Sequence, residues 1–282
     1  MKGILYVELF AKGPDTNVHS GLAVLIQNPV WRLINALNTI WNDTIGTVLI
    51  KDWYREVTPL TPKELSIIKD EPFNEQIFKK IYGISKLKNN LTGPEIQKAL
   101  VGKSTCNIAC ISTGYPCRTT ETILPSRATV RIDFRLIPNM IPEILYQRLR
   151  YHLDKCGFQD IDTKLISGAA AARTAFHHPF VKTVIDSARE AYGKKPIIKL
   201  SSFGTGPMNL FFKFFHVPCI SVGCTLIYSN IHSNNEFARI DLLHNGIDSI
   251  SKIINYFSIQ KSYIHKNYQH GNYYSPFEFK YT

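Results

Sequence analysis

Residues 127–137 read Arg-Ala-Thr-Val-Arg-Ile-Asp-Phe-Arg-Leu-Ile. Apolar and polar side chains alternate almost strictly, the period-two pattern of a strand with one buried and one solvated face. Such a strand suits an antiparallel sheet covered on one side. Downstream, Pro142 opens a helix with Leu145, Leu149 and Leu153 on one face, and Gly157 stops it. Residues 161–167 predict another strand. Upstream, strands are predicted over 3–12, 45–50 and 106–112. Asn28-Pro29 supplies a helix cap and first position. Val30, Leu33, Ile34, Leu37 and Trp41 follow at helical spacing, so 29–41 is an amphipathic helix. From Lys51 to Lys103 the pattern is irregular and charged, with helical fragments near 62–69 and 73–82. The series strand, helix, strand, insertion, strand, strand, helix, strand predicts an α+β sandwich with helices on one face of an antiparallel sheet.

After Gly168 the texture changes. His178-Pro179 opens a helix with Val181, Val184, Ile185 and Ala188 on its face. A strand over 197–200, a helix from Gly204-Thr205-Gly206-Pro207 through Phe215, and a strand over 217–223 follow. A last helix carries Leu243, Ile247, Ile250, Ile254 and Phe257 in register. This alternation predicts an α/β unit with a parallel sheet. The expected division is 1–170, with an insertion at 51–103, and 171–258. Residues 259–282 are dense in Tyr, His and Asn without periodicity and are expected to form a loosely ordered tail.

The chain has 282 residues, 44% apolar and 20% charged. That composition excludes a disordered chain, a collagen and a small disulfide scaffold. No window approaches the roughly 18 consecutive apolar residues that a membrane helix needs. The apolar run at 4–7 is too short for a signal-peptide core, so a cytoplasmic location is expected. The six cysteines (Cys106, Cys110, Cys117, Cys156, Cys219 and Cys224) form no Cys-x-x-Cys pair and read as buried apolar residues or surface thiols. The net charge of +11 raises nucleic acid as a partner. The lysines are scattered without long basic runs, which favours solvated faces instead.

Three loops have residues suited to chemistry. Ser201-Ser202-Phe203-Gly204-Thr205-Gly206-Pro207 joins a predicted strand to a helix, where free N–H groups and the helix dipole suit a carboxylate. Ser229-Asn230-Ile231-His232-Ser233-Asn234-Asn235-Glu236 offers an imidazole suited to zinc. Asn17-Val18-His19-Ser20-Gly21 follows the first strand. Each taken alone reads more readily as an ordinary polar turn than as a site. His152-x-Asp154 has metal-motif spacing but sits inside the 142–155 helix and reads as a surface pair. No Gly-x-Ser-x-Gly elbow, Walker loop or His-Glu-x-x-His occurs.

Taken in order, these segments resemble the di-zinc metallopeptidase family 20, which includes carnosinase-type dipeptidases, aminoacylases and succinyl-diaminopimelate desuccinylase. Asn17–Gly21 is similar to the family's Asp-x-His-Ser-Gly. Lys51-Asp52-Trp53-Tyr54 with the helices after it resembles the dipeptidase insertion. Glu121-Thr122-Ile123-Leu124-Pro125 resembles Lys-Thr-Val-Ile-Pro, and Phe134–Asn139 resembles the Arg-Leu-Val-Pro segment. Phe203–Met208 resembles Gly-Gly-Ser-Gly-Pro-Met, and Ile231–Glu236 resembles Ala-His-x-x-Asn-Glu.

The resemblance implies a ferredoxin-like lid, or dimerisation, domain followed by the last part of an α/β catalytic domain. It implies a homodimer joined through the lid and a peptide or N-acyl amino acid as substrate. His232 would be a zinc ligand. His19 would reach the partner subunit's site and steady the oxyanion of the tetrahedral intermediate. Arg135 would bind the substrate's terminal carboxylate, with Thr122, Thr205 and the Gly204 and Gly206 backbone beside it. The family usually has Ser where Thr205 stands. The chain lacks the family's Glu-Glu pair, and its only His-x-Asp is the helical one. A two-zinc hydrolase needs those ligands and a carboxylate base. The chain is therefore expected to be a C-terminal portion, inactive alone and either decayed or completed by an N-terminal chain. The alternative is a non-catalytic dimerisation module. RNA binding ranks below both: Ile4–Leu9 looks somewhat like a recognition strand, but the strand at 127–137 offers only Phe134 for stacking.

Overall fold

The computed structural model describes residues 1–114, 120–226 and 228–267. It divides into two compact units, Met1–Thr174 with Ile198–Cys219, and Ala175–Ile197 with Ile220–Thr282.

The first unit opens with β1 (Gly3–Lys12) and the short β2 (Val18–His19). The Asn28 side chain accepts the Val30 N–H at 2.8 Å and starts α1 (Pro29–Ile40), with Pro29 preset for the first turn. A small hairpin, β3 (Trp41–Asn42) and β4 (Thr47–Val48), leads into the insertion. There α2 (Pro62–Asp70) begins at a capping box: the Thr61 hydroxyl accepts the Glu64 N–H and Glu64 accepts the Thr61 N–H. Thr61→Ala is expected to cost about 1 kcal/mol, read as a shift in urea midpoint with an unchanged slope. Next come α3 (Glu75–Tyr82), which Asn74 caps, and α4 (Pro94–Gly102). The irregular pattern gave no sign of α4. Its Ile96 and Val101 are nonetheless buried, so packing rather than periodicity supports it.

The chain then forms β5 (Thr105–Ser112), β6 (Ile123–Leu124), β7 (Arg127–Leu136), α5 (Pro142–Lys155) and β8 (Ile161–Ala169). The main sheet runs β5-β7-β1-β8, all antiparallel, which is the ferredoxin-like order. β1 and β7 pair from Gly3 opposite Leu136 to Lys12 opposite Arg127. Alternation then decides the faces. Leu5, Val7, Leu9 and Ala11 join Val130, Ile132, Phe134 and Leu136 in the core beneath α1 and α5, closed by Leu33, Ile40, Leu145 and Leu149. Trp53 of the insertion packs on Phe134 with ring centroids 4.7 Å apart. Phe134 therefore faces the core and cannot serve as a stacking platform for RNA. The other sheet face carries Glu8, Arg131, Asp133 and Arg135.

The segment 198–219, grouped by texture with the second domain, clusters with the first. The Lys2 N–H donates to the Ser202 carbonyl at 3.2 Å, and the Lys199 ammonium meets Glu71 at 2.7 Å. α2 is thereby tied at both ends, because Glu64 also pairs with Arg173 at 3.1 Å.

The second unit contains α6 (Pro179–Tyr192), capped by His178, and after the first unit's α7 (Met208–Phe215) comes α8 (Ile240–Asn267). α6 packs on α8, and the Tyr256 hydroxyl donates to Glu190. Two expectations are corrected. Residues 197–200 and 217–223 form no strand. A strand shares its N–H and C=O groups with a neighbouring backbone, whereas the Cys219 N–H and C=O both pair with the Thr174 hydroxyl. α8 also continues past 258 to Asn267, so the expected tail is helical at its start. Residues 268–282, with four of the tail's tyrosines, lie outside the described residues, as does Cys117. Among the described residues no helix is long and apolar enough to cross a membrane.

Candidate functional site

Arg135 is the second-last residue of β7 and points to the open face of the sheet, since its neighbours Phe134 and Leu136 point into the core. Its Nη1 donates to the Thr205 hydroxyl at 2.9 Å. Its Nε lies 3.5 Å from Asp133, two residues earlier on the same face, and Asn107 of β5 holds that carboxylate at 2.7 Å. The Thr205 loop is shaped by Ser202, whose hydroxyl accepts the Gly204 N–H at 3.1 Å. A Cβ at Gly206 would lie 3.0 Å from the Met1 sulfur. The structure thus brings together Arg135, Gly204, Thr205 and Gly206, a guanidinium beside a loop of small residues.

Sequence reasoning missed Lys2 here. It sits two residues before Ile4, which pairs with Arg135, so it shares that open face. Only 4% of Lys2 is exposed, and its ammonium donates to the Lys103 carbonyl at 2.6 Å. Burial, and then repulsion from Arg135, push its pKa down to about 8. The register of β1 on β7 was the missing signal. A cation whose folded pKa lies below its unfolded value costs stability while both states are protonated. The cost is relieved as pH rises from about 8 toward 10.5, where the unfolded chain holds the extra proton. Urea midpoints are therefore expected to climb over that window in the native chain and to climb less in Lys2→Met.

His19 and Thr122 form a second pair. β2 and β6 set His19 opposite Ile123, and the Ser20 N–H donates to the Thr122 carbonyl at 3.0 Å. His19 Nδ1 accepts the Gly21 N–H at 3.0 Å, capping a short 3₁₀ turn over Ser20–Val24. An imidazole accepting at Nδ1 carries its proton on Nε2, leaving that N–H to donate outward. Both residues are exposed, and so are Leu22, Val24 and Leu25 beside them.

His232 belongs to the second unit. It is exposed, with φ of 65°, and Asn230 and Asn235 flank it at 57° and 59°. The loop closes on itself through the Phe237 N–H to the Ser229 carbonyl at 3.1 Å. Left-handed backbone is costly for a non-glycine residue, and such strain concentrates at functional sites. Among the described residues no three His, Cys, Asp or Glu side chains gather to hold a metal ion. The residues present therefore do not fit a complete metal site, and His232 offers one donor only. His152 and Asp154 are otherwise engaged, His152 with the Thr39 carbonyl at 3.0 Å and Asp154 with Arg150 at 2.7 Å. Burial lowers the His152 pKa, partly offset by that carbonyl.

A family model described as the peptidase dimerisation domain matches residues 1–159. The chain belongs to that family, the dimerisation domain of metallopeptidase family 20. A family 20 metallo-carboxypeptidase from Sulfolobus solfataricus superposes with a TM-score of 0.83 at 33% identity, covering 92% of this chain and 59% of that one. A dipeptidase from Saccharomyces cerevisiae superposes at 0.81 with 20% identity, covering 92% and 55%. The human β-Ala-His dipeptidase is 22% identical over 246 residues, covering 83% of this chain and 47% of its own length. The chain thus spans about half the length of these relatives. It has the α+β dimerisation domain and part of the α/β peptidase fold. Its homologues include metallodipeptidases, which imply a metal cofactor in the family.

Proposed function

We propose that this chain supplies the dimerisation domain and the carboxylate-binding corner of a metal-dependent, dipeptidase-like amide hydrolase. The observation that carries this reading is the Arg135 contact with Thr205, which sets a guanidinium at a glycine-bordered loop. Dipeptides and carboxypeptidase substrates both end in a free carboxylate, and a planar guanidinium fork matches that group. A carboxylate held there fixes one end of the substrate, so the amide bond beyond it has a defined place. His19, with its Nε2–H facing outward, is suited to donate to a developing oxyanion across a homodimer. The exposed Leu22, Val24 and Leu25 beside it favour that interface. His232 would contribute one ligand to a metal centre, zinc by family resemblance. The remaining ligands and the base would come from another segment, so no catalytic step is assigned to this chain by itself.

Sedimentation and dipeptide hydrolysis test the reading together. The chain alone is expected to dimerise and to show no turnover, and a polypeptide carrying the family's metal-ligand half should restore hydrolysis. A chain that binds two zinc ions and turns over alone would overturn the incompleteness. A strict monomer at high concentration would overturn the dimer. The same exposed apolar residues also fit a dimerisation module without catalysis; it would dimerise but gain no activity from the added half.

A further inference from the structure

Resting on the reading of the Arg135–Thr205 corner as a carboxylate site, we propose that the Lys2 ammonium supplies the net positive charge to which a substrate carboxylate responds. Arg135 then supplies hydrogen-bond geometry rather than net charge. Lys2 acts through its field, from behind Arg135, and is a positioning residue.

The charges around the corner decide this. The Arg135 guanidinium has Asp133 at 3.5 Å. On segments joined to the same corner, Arg173 has Glu64 at 3.1 Å and Lys199 has Glu71 at 2.7 Å. Among the described residues, no carboxylate pairs with Lys2, whose ammonium donates to the neutral Lys103 carbonyl. Three side-chain cations are therefore matched and the most buried one is not; the Met1 ammonium likewise donates only to a neutral carbonyl, that of Ala172, but lies against Arg173 rather than Arg135. Burying an ammonium without a counter-ion costs several kcal/mol in real proteins. A short apolar residue in place of Lys2 would avoid that cost, so the charge is better explained by use than by stability. A buried charge is screened less than one in water, and a carboxylate arriving at Arg135 and Thr205 supplies the counter-charge it lacks.

The experiment is a ¹⁵N NMR titration of the full chain with N-acetyl-Gly-Gly and, as a matched neutral probe, N-acetyl-Gly-Gly amide. The native chain is expected to prefer the carboxylate. Lys2→Met should weaken carboxylate binding about 10- to 100-fold, the range for loss of a charge-assisted interaction, while amide binding stays unchanged. Lys2→Arg should restore the preference. Lys2→Gln keeps a donor for the Lys103 carbonyl and serves if the apolar variant fails to fold. A merely structural role would weaken both probes equally, and that result would overturn the proposal. If Arg135→Gln abolishes carboxylate binding while Lys2→Met and Lys2→Gln leave it intact, Lys2 is excluded and the corner stands. If the native chain shows no preference for the carboxylate, both the corner and the Lys2 assignment fall.

Discussion

Phe134→Ala is expected to destabilise the first unit by about 3–5 kcal/mol, the range for truncating a buried aromatic ring. Phe134 has no exposed surface and lies near the end of β7, which is flanked by β1 and β5. Its ring is tilted 50° against Trp53, which adds about 0.5–1.5 kcal/mol beyond the buried area. Trp53 is itself 1% exposed, and among the described residues its indole N–H has no hydrogen-bond partner. Its indole is held inside by packing, so removing Phe134 also loosens the anchor of the insertion. A typical domain has only about 5–15 kcal/mol in reserve. Urea unfolding followed by Trp fluorescence would measure the loss, and Phe134→Leu should cost under about 1.5 kcal/mol by conserving more volume. A loss below about 1 kcal/mol for the alanine variant would show that the core repacks and that the Trp53 contact is incidental.

The same alternation that placed Phe134 inside placed Arg135 outside. That much was legible in residues 127–137, because a strand covered on one side writes its burial directly into its sequence. The helices at 29–40 and 142–155 were legible for a similar reason: Leu33 and Leu37, and Leu145 and Leu149, recur at the helical period, and Asn28-Pro29 marks a start. Partnership across the chain was not legible. Nothing local in Ser201–Pro207 says that it meets β7, since the contact depends on the Lys2 N–H, the Thr205 hydroxyl and the Lys199–Glu71 pair. Lys2 itself looked like a terminal lysine, which is ordinarily solvated. Only the register of Ile4 on Arg135 shows that it lies beside a second cation. The strands expected at 197–200 and 217–223 failed for the complementary reason. Their apolar runs express a propensity for sheet, but a ladder needs a second chain segment, and propensity cannot supply it. The motifs at His19 and His232 were readable as motifs, while their geometry was not. The Nδ1 contact that fixes the His19 tautomer comes from the backbone of Gly21, and the left-handed turn at His232 comes from its own loop.

Gly3→Ala is expected to be the most damaging single-methyl change at the corner, costing about 3 kcal/mol or more, the upper end for overpacking. Gly3 lies between two backbone segments. It pairs with Leu136 on one side, and on the other a Cβ would fall 2.4 Å from the Ala169 carbonyl oxygen, 2.6 Å from the Ala171 nitrogen and 2.8 Å from the Ala170 carbonyl carbon. All three are main-chain atoms, so no rotamer change can relieve the contact, and either β1 or the end of β8 must move. Movement of β1 would carry Lys2 away from Ser202 and Arg135, and movement of β8 would break the Met1–Ala172 hydrogen bonds. The variant should therefore lose stability and carboxylate binding together, unlike Lys2→Met, which is expected to lose carboxylate preference alone. Gly223→Ala is the control: a Cβ there meets nothing within 4 Å, so the change should stay within about 0.5 kcal/mol of the native chain. Urea midpoints for the two variants, with the acetyl-dipeptide titration repeated on Gly3→Ala, would decide the matter. Native stability and native carboxylate binding in Gly3→Ala would mean that the two backbones do not approach as closely as the structure places them, and the corner built on their approach would have to be redrawn.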